Sequence, residues 1–143
     1  MWFDNVEGFD EYGFARVGLI DNDALKVNLI NKKGNLLSNI WFDDLTRYRK
    51  YSIVQKDGKY NILSTNGTVI LNEWCDYIAS LGYTFVVELN NKLNILNFKE
   101  GKLYDKWFDG DYCILNNNLI ELADSNYVYL FNNNGSFNSI KQV

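Results

Sequence analysis

The feature that most limits how this chain can fold is a recurrence with a period near 33 residues. The tryptophans stand at Trp2, Trp41, Trp74 and Trp107, in steps of 39, 33 and 33. A second set of landmarks, Gly34, Gly67, Gly101 and Gly135, steps by 33, 34 and 34. Each tryptophan opens the same phrase: Trp2-Phe3-Asp4, Trp41-Phe42-Asp43, Trp74-Cys75-Asp76 and Trp107-Phe108-Asp109. Two independent landmarks holding one period mark an array of like units, each too small to bury a hydrophobic face alone.

The copy over residues 41–71 shows what each unit builds. Tyr51-Ser52-Ile53-Val54-Gln55 is β-prone, Lys56-Asp57-Gly58-Lys59 follows, and Tyr60-Asn61-Ile62-Leu63-Ser64 is β-prone again. An Asp-Gly pair between two such runs is a strong short-range hairpin signal. A turn at Thr65-Asn66-Gly67-Thr68 leads to a third run, Val69-Ile70-Leu71. The strand before the late glycine reappears at 26–31, 59–64 and 92–97, with a looser version at 127–132. The prediction is an all-β fold of four stacked meander or hairpin repeats forming an arc or short solenoid. The copies cover about 2–39, 40–72, 73–105 and 106–143 of a single domain. No helical period is long enough to predict a helix, and 73–81 comes nearest.

The first copy is about six residues longer than its neighbours, mostly through its first hairpin. Its turn, Asp21-Asn22-Asp23, stands where the second copy has Asp57-Gly58, and an extension there is expected to project and carry contacts. The fourth copy, with Asn116-Asn117-Asn118 inserted, reads as a cap.

Hydrophobic content of 47% and aromatic content of 16% suffice for a core, and a net charge of −4 argues against a general phosphate-binding surface. Histidine is absent, which removes the usual neutral-pH base and the commonest metal ligand. The serines have no Gly-x-Ser-x-Gly elbow, and the glycines are scattered turn residues, not a phosphate loop. No catalytic residue, cofactor or metal is therefore expected. Neither an eighteen-residue apolar run nor a basic start with an apolar core is present, so no membrane span or secretory signal is predicted. Asparagine occurs 21 times and proline never, which points to an A/T-rich genome or a mobile element. Cys75 takes the slot of Phe3, Phe42 and Phe108 and is read as a small core residue. Both thiols are expected to be reduced and buried, in a cytoplasmic, bacterial-host setting; nothing requires a Cys75–Cys113 disulfide.

Glu11-Tyr12-Gly13-Phe14-Ala15-Arg16-Val17, Gly58-Lys59-Tyr60-Asn61-Ile62 and Gly34-Asn35-Leu36-Leu37 carry a resemblance over nearly the whole chain. The sequence resembles the bacterial WG repeat family, with its naming Trp-Gly pair replaced by Val27-Asn28, Tyr60-Asn61 and Leu93-Asn94. That looks like the divergent, Asn-rich variants of gut bacteria and their phages. The resemblance implies stacked β hairpins and a non-enzymatic interaction role, and it brings no catalytic residues.

The candidate partner-binding residues are those that break the pattern. Arg47-Tyr48-Arg49-Lys50-Tyr51 interleaves cations with aromatics and holds two of the three arginines. Tyr and Arg are enriched at binding hot spots; the alternative is a solvated loop beside a strand. Asp21, Asn22 and Asp23 form an acidic turn suited to a basic surface on the partner. Asp4, Asp43, Asp76 and Asp109, one per copy, would not converge on one ion and are read as turn caps. The tryptophans are read as core, not as a ladder for sugars or bases. The expected function is binding a larger protein, as a phage or mobile-element inhibitor of a host factor such as a defence nuclease. Direct nucleic-acid contact is not expected. A carbohydrate-binding or structural module is the alternative.

Overall fold

The computed structural model describes residues 3–143, and every regular element in them is a β-strand. Trp2, the first landmark, lies outside the described residues. The strands form four antiparallel sheets. They belong to two compact units, one ending at Trp74 and one running from Cys75 to Val143.

In the first unit, β1 (Asn5–Val6), β2 (Phe14–Asp21) and β3 (Ala24–Asn31) pair in that order, as do β4 (Asp44–Tyr48), β5 (Tyr51–Lys56) and β6 (Lys59–Leu63). The second unit opens with β7 (Tyr77–Ser80), β8 (Phe85–Leu89), β9 (Lys92–Asn97), β10 (Lys102–Leu103) and β11 (Phe108–Asp109). Here β9 is flanked by β8 and β10, and β11 also pairs with it. β12 (Cys113–Ile114), β13 (Ile120–Ala123), β14 (Tyr127–Phe131) and β15 (Phe137–Gln142) make a plain meander. Residues 73–81, the nearest approach to a helical pattern, hold β7, in which Tyr77 is exposed and Ile78 buried.

Turn chemistry explains the hairpins. Asn22 and Asp23 have φ 49° and 64°, Asp57 and Gly58 53° and 78°, and Asn90 and Asn91 53° and 64°. Two successive left-handed residues make the turn whose twist matches paired strands, and Asn, Asp and Gly tolerate that conformation best. The expected hairpin at Asp57-Gly58 is present, with Lys56 opposite Lys59. The β2–β3 hairpin has eight paired positions and β5–β6 five, so the first hairpin is indeed the longer.

The third strand of the meander is where the structure departs from the simple reading. Val69-Ile70-Leu71 is not a strand: one isolated bridge joins Val69 to Leu63, and Ile70 N–H donates to the Ile62 carbonyl at 2.9 Å. A buried asparagine does the rest. The Asn61 side-chain oxygen accepts from Leu71 N–H at 3.0 Å, and its NH2 donates to the Leu71 carbonyl at 3.0 Å. Asn94 does the same to Tyr104, at 3.0 and 2.9 Å. Asn28 donates to the carbonyls of Ser38 and Ile40 at 2.9 and 3.2 Å. In all three the side chain also accepts from the next backbone N–H, at 2.7–2.8 Å. These asparagines are at most 1% exposed, so each satisfies backbone groups that water cannot reach. The fourth copy has Tyr129 at this position, and there the returning chain pairs as the strand β15, with one register shift between Leu130 and Phe131.

The core of each unit is filled by residues beside the tryptophans. Phe42, Cys75 and Phe108 are fully buried, whereas Trp41, Trp74 and Trp107 are only half-buried. The indoles therefore flank the core, contrary to the expectation that they fill it. Phe42 exchanges backbone hydrogen bonds with Val27 at 2.8 and 2.9 Å, and Phe108 pairs with Leu93 in the equivalent way. Within the first unit, Phe3 meets Trp41 at 6.2 Å and 44°, and Phe42 meets Trp74 at 6.3 Å and 40°. One aromatic contact is thus made twice, its phenylalanines 39 and its tryptophans 33 residues apart. The cysteines also divide: Cys75 is buried as expected, but Cys113 is exposed, because it lies on the two-residue outer strand β12, and the two are not joined in a disulfide.

Candidate functional site

The basic segment occupies the β4–β5 hairpin, with Tyr48 opposite Tyr51 and Arg49 at φ 57° opening the two-residue turn. Arg47 points inward. Its Nε donates to Asp10 at 2.8 Å, and its Nη1 donates to the Tyr51 carbonyl at 3.2 Å and to Ser52 Oγ at 3.0 Å. The guanidinium sits 5.3 Å from the Phe14 ring centre and 5.9 Å from that of Tyr12. Its Nη2 is buried without a hydrogen-bond partner among the described residues. Tyr51 is buried, Tyr48 and Lys50 half-buried, and the Lys50 ammonium lies 5.3 Å from the Tyr51 ring centre. Arg49 alone of the five is exposed.

Asp10 explains why Arg47 is held. Its Oδ1 accepts from the N–H groups of Tyr12 and Phe14 at 2.9 and 3.1 Å, shaping the loop that feeds β2, while Oδ2 takes Arg47. Burial pushes the Asp10 carboxyl up, but the bonds from Arg47, Phe14 and Tyr12 together outweigh it and hold the group below the usual carboxylate range. Arg47 thus fastens the β4–β5 hairpin to the entry loop of β2.

Asp21, Asn22 and Asp23 are exposed at the opposite end of β2. Just behind them Ile20 and Leu25 face each other across the ladder, 62% and 45% exposed. Eight residues at about 3.3 Å each separate the two ends of β2 by about 23 Å. The two predicted patches are therefore held apart, the basic one on the β4–β5 hairpin fastened at the entry of β2 and the acidic one at the β2–β3 tip.

Three of the four recurring aspartates do cap, but on a hairpin and not at their own turn: Asp43 and Asp76 at its tip, and Asp4 on the strand two residues short of it. Asp4 accepts from Ile20 N–H at 2.7 Å, Asp43 from Asp57 N–H at 2.8 Å, and Asp76 from Asn90 N–H at 3.0 Å. Asp43 also pairs with Lys26, which, with the Asp57 N–H, holds its carboxyl below the usual range. Asp109 has an exposed side chain 3.7 Å from Lys92. Among the described residues no three His, Cys, Asp or Glu are placed to hold a metal ion.

The residues that sequence reasoning undervalued are Asn28, Asn61 and Asn94. The signal was there: a polar residue at a 33-residue period inside an otherwise apolar run such as Val27-Asn28-Leu29-Ile30. No family model matches this sequence, and no similar curated protein is found.

Proposed function

We propose that the chain is a non-catalytic protein-binding module of WG-repeat type, its four copies stacked as an arc or short solenoid. Support for the array comes from the asparagine clamp, the aspartate cap and the Phe–Trp contact, each recurring at the repeat period. The observation that carries the binding reading is the β2–β3 tip. Ile20 and Leu25 form an exposed apolar rung beyond the length of the comparable hairpin, bordered by Asp21 and Asp23. Exposed apolar side chains rimmed by charge are the ordinary makings of a protein contact. Arg49 offers a second contact at the far end, while Arg47 serves the fold.

The partner in this reading is a larger host protein with a basic surface, met in the bacterial cytoplasm, and the module is a phage or mobile-element inhibitor of that factor. The Asn-rich, Pro-free composition and the family resemblance support that setting. Affinity capture from bacterial lysate with the full chain tests it, using Ile20→Asp/Leu25→Asp and Tyr48→Ala/Arg49→Ala as parallel baits. A protein retained by wild type and lost with the tip variant is the expected result. Capture indifferent to both variants, or binding confined to a glycan array, would defeat it.

A further inference from the structure

The second unit holds a cavity of about 500 Å³ whose floor is an aromatic pair. Phe137 lies nearly parallel to Tyr104, with ring centres 5.7 Å apart and planes at 17°, and Phe131 meets both edge-on at 5.9 and 5.0 Å. Tyr104 stands against one side of the Phe137 ring, yet Phe137 remains 44% exposed and lines the cavity. Both rings are held in place before any ligand arrives. The Asn94 clamp fixes the Tyr104 backbone, and the register shift at Leu130/Phe131 sets Phe131 opposite Phe137.

The rim is polar. Glu100 and Asp105 bring carboxylates and Lys102 an ammonium, and all three are exposed. Asn97 uses its side-chain oxygen for Glu100 N–H at 3.1 Å, which leaves its NH2 as a donor. An exposed ring beside acceptors and donors matches a ligand with one apolar face and hydroxyls around its edge. A nucleotide would set phosphate against two carboxylates. An apolar peptide side chain would desolvate those carboxylates without giving them donors.

We propose that this cavity binds a neutral pyranose ring, stacked on Phe137 and hydrogen-bonded through its hydroxyls to Glu100, Asp105 and Asn97. The volume lies within the range of small-ligand sites, and the preformed floor lowers the ordering cost of binding. This site is independent of the β2–β3 tip, so either can fail while the other stands.

The test is an NMR titration of the full chain with maltose, cellobiose and N,N′-diacetylchitobiose as probes, and with ATP as the contrasting arm. At least one disaccharide is expected to shift the Phe137 and Tyr104 ring resonances and to saturate with a Kd of about 1 mM. Phe137→Ala should weaken that binding by about tenfold or more, the size of one lost stacking contact. Glu100→Gln, on the exposed rim, should weaken it as well and supplies the test if Phe137→Ala fails to fold. No shift with any of the three disaccharides, binding unchanged by the variants, or binding of ATP alone would overturn the proposal.

Discussion

Replacing Asn61 by alanine isolates the interaction on which the returning chain depends. The side chain is fully buried and serves both the N–H and the carbonyl of Leu71. Alanine leaves those two backbone groups enclosed and unpaired, at about 1–3 kcal/mol each, or about 2–6 kcal/mol in total. A water entering the vacated space would bring the loss toward the lower figure. At roughly 4 °C per kcal/mol the thermal midpoint should fall by about 8–24 °C. Urea unfolding followed by tryptophan fluorescence reads this unit, since Trp41 and Trp74 both belong to it. Asn61→Asp sharpens the test, because it keeps the acceptor for the Leu71 and Ile62 N–H groups but sets a buried carboxylate oxygen against the Leu71 carbonyl. The folded-state pKa of that new carboxyl would lie above its unfolded value near 3.9, so the variant is most stable in acid and loses stability as pH rises. A loss below about 0.5 kcal/mol for Asn61→Ala, the size of an ordinary surface change, would refute the clamp.

Three other outcomes are expected. Gly135→Ala should destabilise far more than Gly82→Ala: a Cβ at Gly135 would sit 1.7 Å from the Leu96 carbonyl oxygen, whereas Gly82 faces open space. Both glycines have positive φ, so the Gly82 variant bears only the left-handed cost of about 1–2 kcal/mol, and thermal unfolding separates the two. A thiol reagent should titrate one cysteine in the native protein, the exposed Cys113, and reach Cys75 only on unfolding. The lowered carboxyls of Asp10, Asp43 and Asp124 give stability that is complete above an unfolded pKa near 3.9 and lost as pH falls through their folded values; Asp10→Asn should flatten that acid limb in pH-dependent melts.

Much of the local structure was legible in the residues. Asp57-Gly58 and Asn22-Asp23 announce their turns because left-handed backbone is a property of the residue itself, and the extra length of the first hairpin follows from counting. The candidate site was legible only in part. Asp21, Asn22 and Asp23 stand exposed as the turn reading expects, yet the exposed Ile20–Leu25 rung behind them depends on which face the ladder leaves uncovered. Arg47 looks like a surface cation in any five-residue window. It is drawn inward by Asp10, 37 residues away, and by the rings of Tyr12 and Phe14.

By itself the sequence determined the β character of this protein, its turns and the period of its landmarks, since those depend on backbone preference and side-chain alternation within a few neighbouring residues. Tertiary structure alone decided that Phe42, Cys75 and Phe108 fill the cores while the tryptophans flank them. It also turned three asparagines into backbone partners for chain ten residues further on. Burial and hydrogen-bond satisfaction are set by whatever segment arrives alongside, and a period says that something recurs without saying what it meets.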